Sequence, residues 1–144
     1  VTVFLVHHGP ALESHVDPVR PLSQAGRAMV ADLAASAAAR GVKPAVIWHS
    51  GKARARQTAE IFWSACNPLA TMSAVRGLLP GDPPEWIADQ LIGEDDDVMV
   101  VGHQPHLGLL WHVLDPRSRE TPYPLHGMVA LERTEQGWRT EWSS

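Results

Sequence analysis

Val3-Phe4-Leu5-Val6-His7-His8-Gly9-Pro10 is the stretch on which the reading of this chain turns. Four β-forming apolar residues stop at two histidines, a glycine and a proline, a pattern that predicts a buried strand whose carboxyl end opens into a loop. In open α/β sheets ligands bind at that edge, so a histidine placed there rides on a rigid element and faces solvent or substrate. His8 is thereby the candidate nucleophile. A histidine after a strand is weak evidence by itself, because most such side chains serve a backbone group or lie on the surface. Two further strand ends add matching residues. Val46-Ile47-Trp48-His49-Ser50 runs into a segment holding Arg54, and Val98-Met99-Val100-Val101-Gly102 runs into His103-Gln104-Pro105-His106. The three loops together would set two imidazoles and a guanidinium around one anion.

Outward from these strands the chain alternates strand and helix. Ala11 to Pro21 reads as a loop, and Ser23 starts a helix in which Met29, Val30, Leu33, Ala34 and Ala37 recur at helical spacing before Arg40-Gly41 stops it. Ala45 to Trp48 is the second strand, followed by a helix with Ala55, Ala59, Phe62 and Cys66 on one face. Arg54 and Arg56 fall in its first turn, where cations are disfavoured unless an anion lies nearby; Arg56 reads as solvated and Arg54 as the anion ligand. Leu69 to Val75 is a weaker strand. Asp82 is expected to cap a helix with Pro83 at its first position, and Glu94-Asp95-Asp96-Asp97 to be a solvated turn. Val98 to Val101 is a buried strand, Leu107 to Leu114 a short helix, and Met128 to Arg133 with Trp138 to Trp142 a terminal hairpin. The expected fold is α/β, a single-domain three-layer sandwich over residues 1–144 with a mostly parallel central sheet, helices on both faces and a C-terminal antiparallel hairpin.

Composition sets outer bounds. The 144 residues, 44% hydrophobic and 19% charged, suit one globular core. A net charge of −4 argues against a nucleic-acid partner. Cys66 is the only cysteine, so it forms no intramolecular disulfide and no multi-cysteine metal site. The first apolar run is too short to span a bilayer and lacks a basic flank, so no membrane association, a cytoplasmic location and a monomer are the default expectations. Trp48, Trp63, Trp86 and Trp111 fall in predicted elements and read as packing residues.

In their order, these motifs resemble the histidine phosphatase superfamily, in particular its short bacterial phosphohistidine phosphatase (SixA-type) branch. That family opens with a strand followed by Arg-His-Gly, where this chain has His7-His8-Gly9. The match continues through Arg20-Pro21-Leu22-Ser23 and Gly26, through Ser50 with Arg54, Gln57 and Thr58, and through Val101-Gly102-His103 with Pro105, and so spans almost the whole chain. The resemblance implies catalysis by His8, Arg54 and His103, with His7, Gly9, Arg20 and Ser50 around the phosphate and no cofactor. The implied substrate is phosphohistidine on a protein, or else a small phosphorylated metabolite.

The residues suit that chemistry. Phosphoryl oxygens repel nucleophiles, so a catalyst must neutralise their charge and align the attacking atom. A neutral imidazole is nucleophilic near pH 7, and a guanidinium clamps two oxygens at once. The departure is His7, where the family has a second arginine. Either Arg20 and a protonated His7 restore the charge, with activity rising at mildly acidic pH, or the domain is a weakened enzyme. A non-catalytic phosphate-recognition domain is the alternative from another class. No carboxylate follows the third strand to protonate a leaving group; Asp82 and Glu13 are fallbacks, and a phosphohistidine substrate has less need of one. His126 is placed at the pocket mouth and His106 in its wall, with His15, His49 and His112 surface or structural. A metal on His103, His106 and His112 is disfavoured because Pro105 interrupts a regular helix there and no further ligand completes a site.

Overall fold

A computed structural model describes residues 1–144. In chain order the elements are β1 (Thr2–His7), α1 (Gln24–Ala39), β2 (Val46–His49), α2 (Ala53–Cys66), β3 (Thr71–Ala74), α3 (Pro84–Ile92), β4 (Val98–Gly102), α4 (His106–Leu114), a 3₁₀ turn (Pro116–Ser118), β5 (Met128–Thr134) and β6 (Gly137–Ser143). They form one sheet in the order β3-β2-β4-β1-β5-β6. The first four strands are parallel to their neighbours, β5 is antiparallel to β1, and β6 closes the hairpin.

Alternation within the strands builds two cores. Phe4, Val6, Met99 and Val101 face Val30, Ala34 and Ala37 of α1 and Ala55, Ala59 and Phe62 of α2. Val3, Leu5, Val98 and Val100 face Ile87 and Leu91 of α3 and Leu107 and Leu110 of α4. A strand apolar on both sides needs a helix layer on each, which makes the three-layer sandwich. The alanines of α1 let its axis lie close to the sheet, and Ser23 caps it by accepting the Gly26 N–H at 2.9 Å.

Three expectations change. Asp82 does not cap α3: the helix begins at Pro84 with Pro83 at its N-cap, and the Asp82 carboxylate instead accepts the Leu79 N–H at 3.0 Å. The helix start has no side-chain cap, and the carboxylate closes the preceding turn. Trp86 is 49% exposed rather than packed, whereas Trp48 and Trp111 are buried. Asp97 is also more than a solvated turn, because its carboxylate accepts Thr2 N–H at 2.8 Å and its carbonyl accepts Ala45 N–H at 3.0 Å, tying the starts of β1 and β2.

The first turn of α1 presses on the loop that follows β1, and a Cβ at Gly26 would collide with the Pro10 carbonyl oxygen. Backbone cannot yield as a flexible side chain can. Gly26→Ala is expected to cost about 1–3 kcal/mol of stability, read as a lower urea midpoint at unchanged slope; a midpoint equal to wild type would show that this contact carries no constraint.

Candidate functional site

Parallel strands end at the same edge of a sheet. His7 pairs with Gly102 and His49 with Val101, so β1, β2 and β4 deliver His8, Ser50 and His103 side by side. β5 runs the other way and brings its beginning to that edge. The His7 N–H donates to the Gly127 carbonyl at 2.9 Å, which places His126 beside His7 despite their distance in sequence.

His8 is fixed at both ends. Its backbone N–H donates to the Gly102 carbonyl at 3.1 Å, and its ring Nδ1 lies 2.7 Å from the Gly9 carbonyl. A carbonyl only accepts, so Nδ1 carries the proton and Nε2 keeps its lone pair. Gly9 is clamped in turn: its N–H donates to Thr58 Oγ1 at 3.1 Å, whose hydroxyl donates to the Arg54 carbonyl at 2.8 Å, and a Cβ on Gly9 would collide with Val30. Glycine here lets the loop after β1 approach α1 closely.

His7 takes the opposite tautomer. It is buried, and its Nδ1 accepts the His126 backbone N–H at 2.9 Å, so a neutral ring carries its proton on Nε2. Its ring stacks on His126 with centroids 4.7 Å apart and planes 7° from parallel, and His126 Nδ1 donates to the His8 carbonyl at 2.7 Å. Two backbone groups have thus left one histidine with a free ring N–H and its neighbour with a free ring lone pair. His126 (φ 50°) and Arg20 (φ 52°) are the non-glycine residues in the left-handed region, a conformation that costs energy and clusters at functional sites.

Arg54 stands in the first turn of α2 with its buried Nε unpartnered, and Arg20 is held by donation from its Nε to the Leu12 carbonyl at 2.9 Å. Burial and then the charge of Arg20 lower the Arg54 pKa, which puts the two cations on one locality. His103 is buried with its ring centroid 5.0 Å from that of His8. Its Nε2 lies 2.6 Å from Ser50 Oγ, while its Nδ1 has no partner. Unpartnered buried polar atoms are rare in proteins, and Arg54 and His103 each bring one to this locality.

Burial sets the charge of the imidazoles. It is the largest cause holding His8 down at about 4, ahead of the opposing Gly9 carbonyl and the lowering charge of Arg54. Burial, followed by the neighbouring His8, lowers both His7 and His103 to about 3. All three rings are neutral at pH 7. His7 is thus neutral in the free protein, and protonating it would require a second proton on Nδ1, against the His126 N–H. The positive charge belongs to Arg54 and Arg20.

The ring nitrogens of His7, His8 and His126 lie within 4.8 Å of one another, a spacing that invites a metal. The donor set does not fit three-histidine ligation, since the lone pair of His7 is taken by a backbone N–H. His103, His106 and His112 form no such group. His106 is wholly buried at the start of α4, in the core rather than the pocket wall, because that turn faces the sheet. His15 is exposed; His49 is buried and structural, accepting the Gly51 N–H at 3.0 Å; Arg56 is exposed and paired with Glu60 at 2.7 Å. Glu13 is exposed on the first loop, while Asp82 and Ser50 line one pocket. The stacked partnership of His126 with His7 was missed by sequence reasoning, and its signal lies only in knowing that β5 pairs beside β1.

The family model of the histidine phosphatase superfamily (branch 1) matches residues 3–78. No curated protein sequence matches the chain. Among solved structures, it is similar to the protein histidine phosphatase SixA complexed with tungstate (TM-score 0.88, 23% identity, covering 99% of this chain and 96% of that one). It is similar to a SixA protein of Agrobacterium tumefaciens (0.84, 22%, 99% and 96%) and to phosphoserine phosphatase of Entamoeba histolytica in complex with 3-phosphoglyceric acid (0.72, 12%, 99% and 96%). At such identities the structural likeness speaks for the fold.

The opposed tautomers are directly observable. Nitrogen NMR at pH 6 is expected to find His8 neutral with its proton on Nδ1 and His7 neutral with its proton on Nε2, and His8 to titrate near 4. A shared tautomer, or a His7 that is charged at pH 6, would overturn the assignment.

Proposed function

Because the chain belongs to the histidine phosphatase superfamily, we propose that it is a phosphatase working through a phosphohistidine intermediate on His8, and that its substrate is phosphohistidine carried by a protein. The observation that carries this reading is the 2.7 Å bond from His8 Nδ1 to the Gly9 carbonyl, which leaves Nε2 as an uncharged nucleophile on a rigid strand end.

The first step forms a bond from Nε2 to phosphorus as the bond from phosphorus to the leaving nitrogen breaks and its electron pair returns to that nitrogen. A substrate imidazole protonated at its distal nitrogen departs neutral, so it needs no acid at the leaving atom. The absence of a carboxylate in Arg76-Gly77-Leu78-Leu79 is consistent with such a substrate. His8 keeps its Nδ1 proton throughout. Its phosphorylated ring is therefore an imidazolium, and when water attacks phosphorus the ring leaves as neutral imidazole, with inorganic phosphate as product. The Arg54 guanidinium, and His103 in the tautomer that carries its proton on the unpartnered Nδ1, are suited to the equatorial oxygens, with the His7 Nε2–H a single uncharged donor beside them. Ser50 holds His103 in place. The likenesses to SixA and to a phosphoserine phosphatase are compatible with a protein-bound or a small substrate; leaving-group chemistry favours the former.

Phosphate release from a phosphohistidine-bearing protein, measured beside a panel of small phosphomonoesters, tests the reading. His8→Ala is expected to abolish release, and Arg54→Ala and His103→Ala to lower kcat/KM about 10²–10³-fold. Release that survives His8→Ala would remove the nucleophile, and bound phosphate without turnover would make the site a receptor. The pH profile gives an independent check. Neutral His8 is the reactive form, so kcat/KM should fall as pH drops through about 4. A rate that stays level through that range would overturn the assignment of His8 as the neutral nucleophile.

A further inference from the structure

A pocket of about 410 Å³ begins at Ser50, the residue bonded to His103, and runs beneath the loop between β3 and α3. That volume is in the range that holds one planar side chain or small ligand. Its apolar wall is Val75, Leu79 and Trp86, the last two 43% and 49% exposed. Trp86 is held there by Gly77, whose φ of +98° folds the loop back so that a Cβ would meet Trp86 Cβ at 3.3 Å. Two opposite charges complete the lining. Arg76 is exposed and takes part in neither ion pair of the chain, which are Arg56–Glu60 and Arg117–Asp115. Asp82 uses one carboxylate oxygen on the Leu79 N–H and makes no ion pair with Arg76.

Resting on the reading of His8 as nucleophile, we propose that this pocket seats the leaving group: a phosphohistidine ring lies against Trp86 and presents its distal N–H to Asp82, while a carboxylate in the adjacent partner chain pairs with Arg76. Each group in the pocket then has a task. Trp86 offers a flat apolar face to a flat ring. An acceptor at Asp82 keeps the distal nitrogen protonated, the form that departs neutral when its bond to phosphorus breaks. An alkyl phosphate would leave that carboxylate facing apolar carbon or its own negative oxygens. Arg76 reads the neighbouring chain by charge, so the preferred partner carries an acidic residue next to its phosphohistidine.

The test uses two peptides with phosphohistidine flanked by Glu or by Lys, together with acetyl phosphate, whose leaving group has no ring to fill the pocket. Wild type is expected to favour the Glu peptide about fivefold in kcat/KM, a size typical of one exposed ion pair. Arg76→Glu should invert that preference. Trp86→Ala should lower both peptides about tenfold through lost stacking and burial, with acetyl phosphate within about twofold. Equal rates on the two peptides together with no response to Arg76→Glu would overturn the inference. So would a parallel loss on acetyl phosphate in Trp86→Ala, or a Trp86-dependent preference for a small aryl phosphate over both peptides. Failure of wild type on acetyl phosphate and peptides alike would instead strike at His8 itself.

Discussion

A proton held on one nitrogen of His8 is the constraint from which the rest follows. The Gly9 carbonyl accepts it at 2.7 Å, and that carbonyl stays in place because the loop carrying it is clamped from two sides. Thr58 on α2 accepts the Gly9 N–H, Val30 of α1 leaves no room for a Cβ at Gly9, and the Pro10 carbonyl leaves none for a Cβ at Gly26. The two helices are in position because Phe4 and Val6 of β1 pack on the core they share. Fold stability and the tautomer of His8 are thus coupled through a few close contacts.

The neighbouring histidine shows how backbone context divides two identical side chains into different reagents. His7 and His8 are adjacent, yet one ring nitrogen meets a carbonyl and the other an N–H. A guanidinium in place of His7 would bring a permanent charge and a fork of donors. A buried neutral imidazole brings one donor and no charge, and it avoids the cost of placing a third cation close to Arg54 and Arg20. Stacking on His126 gives the replacement a defined orientation, which a lone imidazole on that strand would lack.

The charge distribution across the site is accordingly uneven. Cations gather on α2 and the first loop, whereas neutral imidazoles line the sheet edge.

The sequence by itself determined the layers and the sheet edge at which His8, Ser50 and His103 gather. Val3 to Val6 and Val98 to Val101 are apolar without interruption, and a strand buried on both faces demands helices on both; His8, Ser50 and His103 follow such strands directly, and parallel strands end together. The N-cap at Ser23 was legible for a similar reason, being a local bond across three residues. The tertiary structure alone decided what depends on long-range pairing or on the competition for a hydrogen bond. Asp82 looked like a helix cap until the fold brought the Leu79 N–H to its carboxylate instead. Trp86 looked like core until the β3–α3 loop left half of it uncovered. The tautomer of His7 could not be read at all, because it rests on a backbone N–H contributed by a residue 119 positions away. Local patterns report on local bonds and on burial averaged over an element, while a proton's position is set by whichever atom the fold brings within about 3 Å.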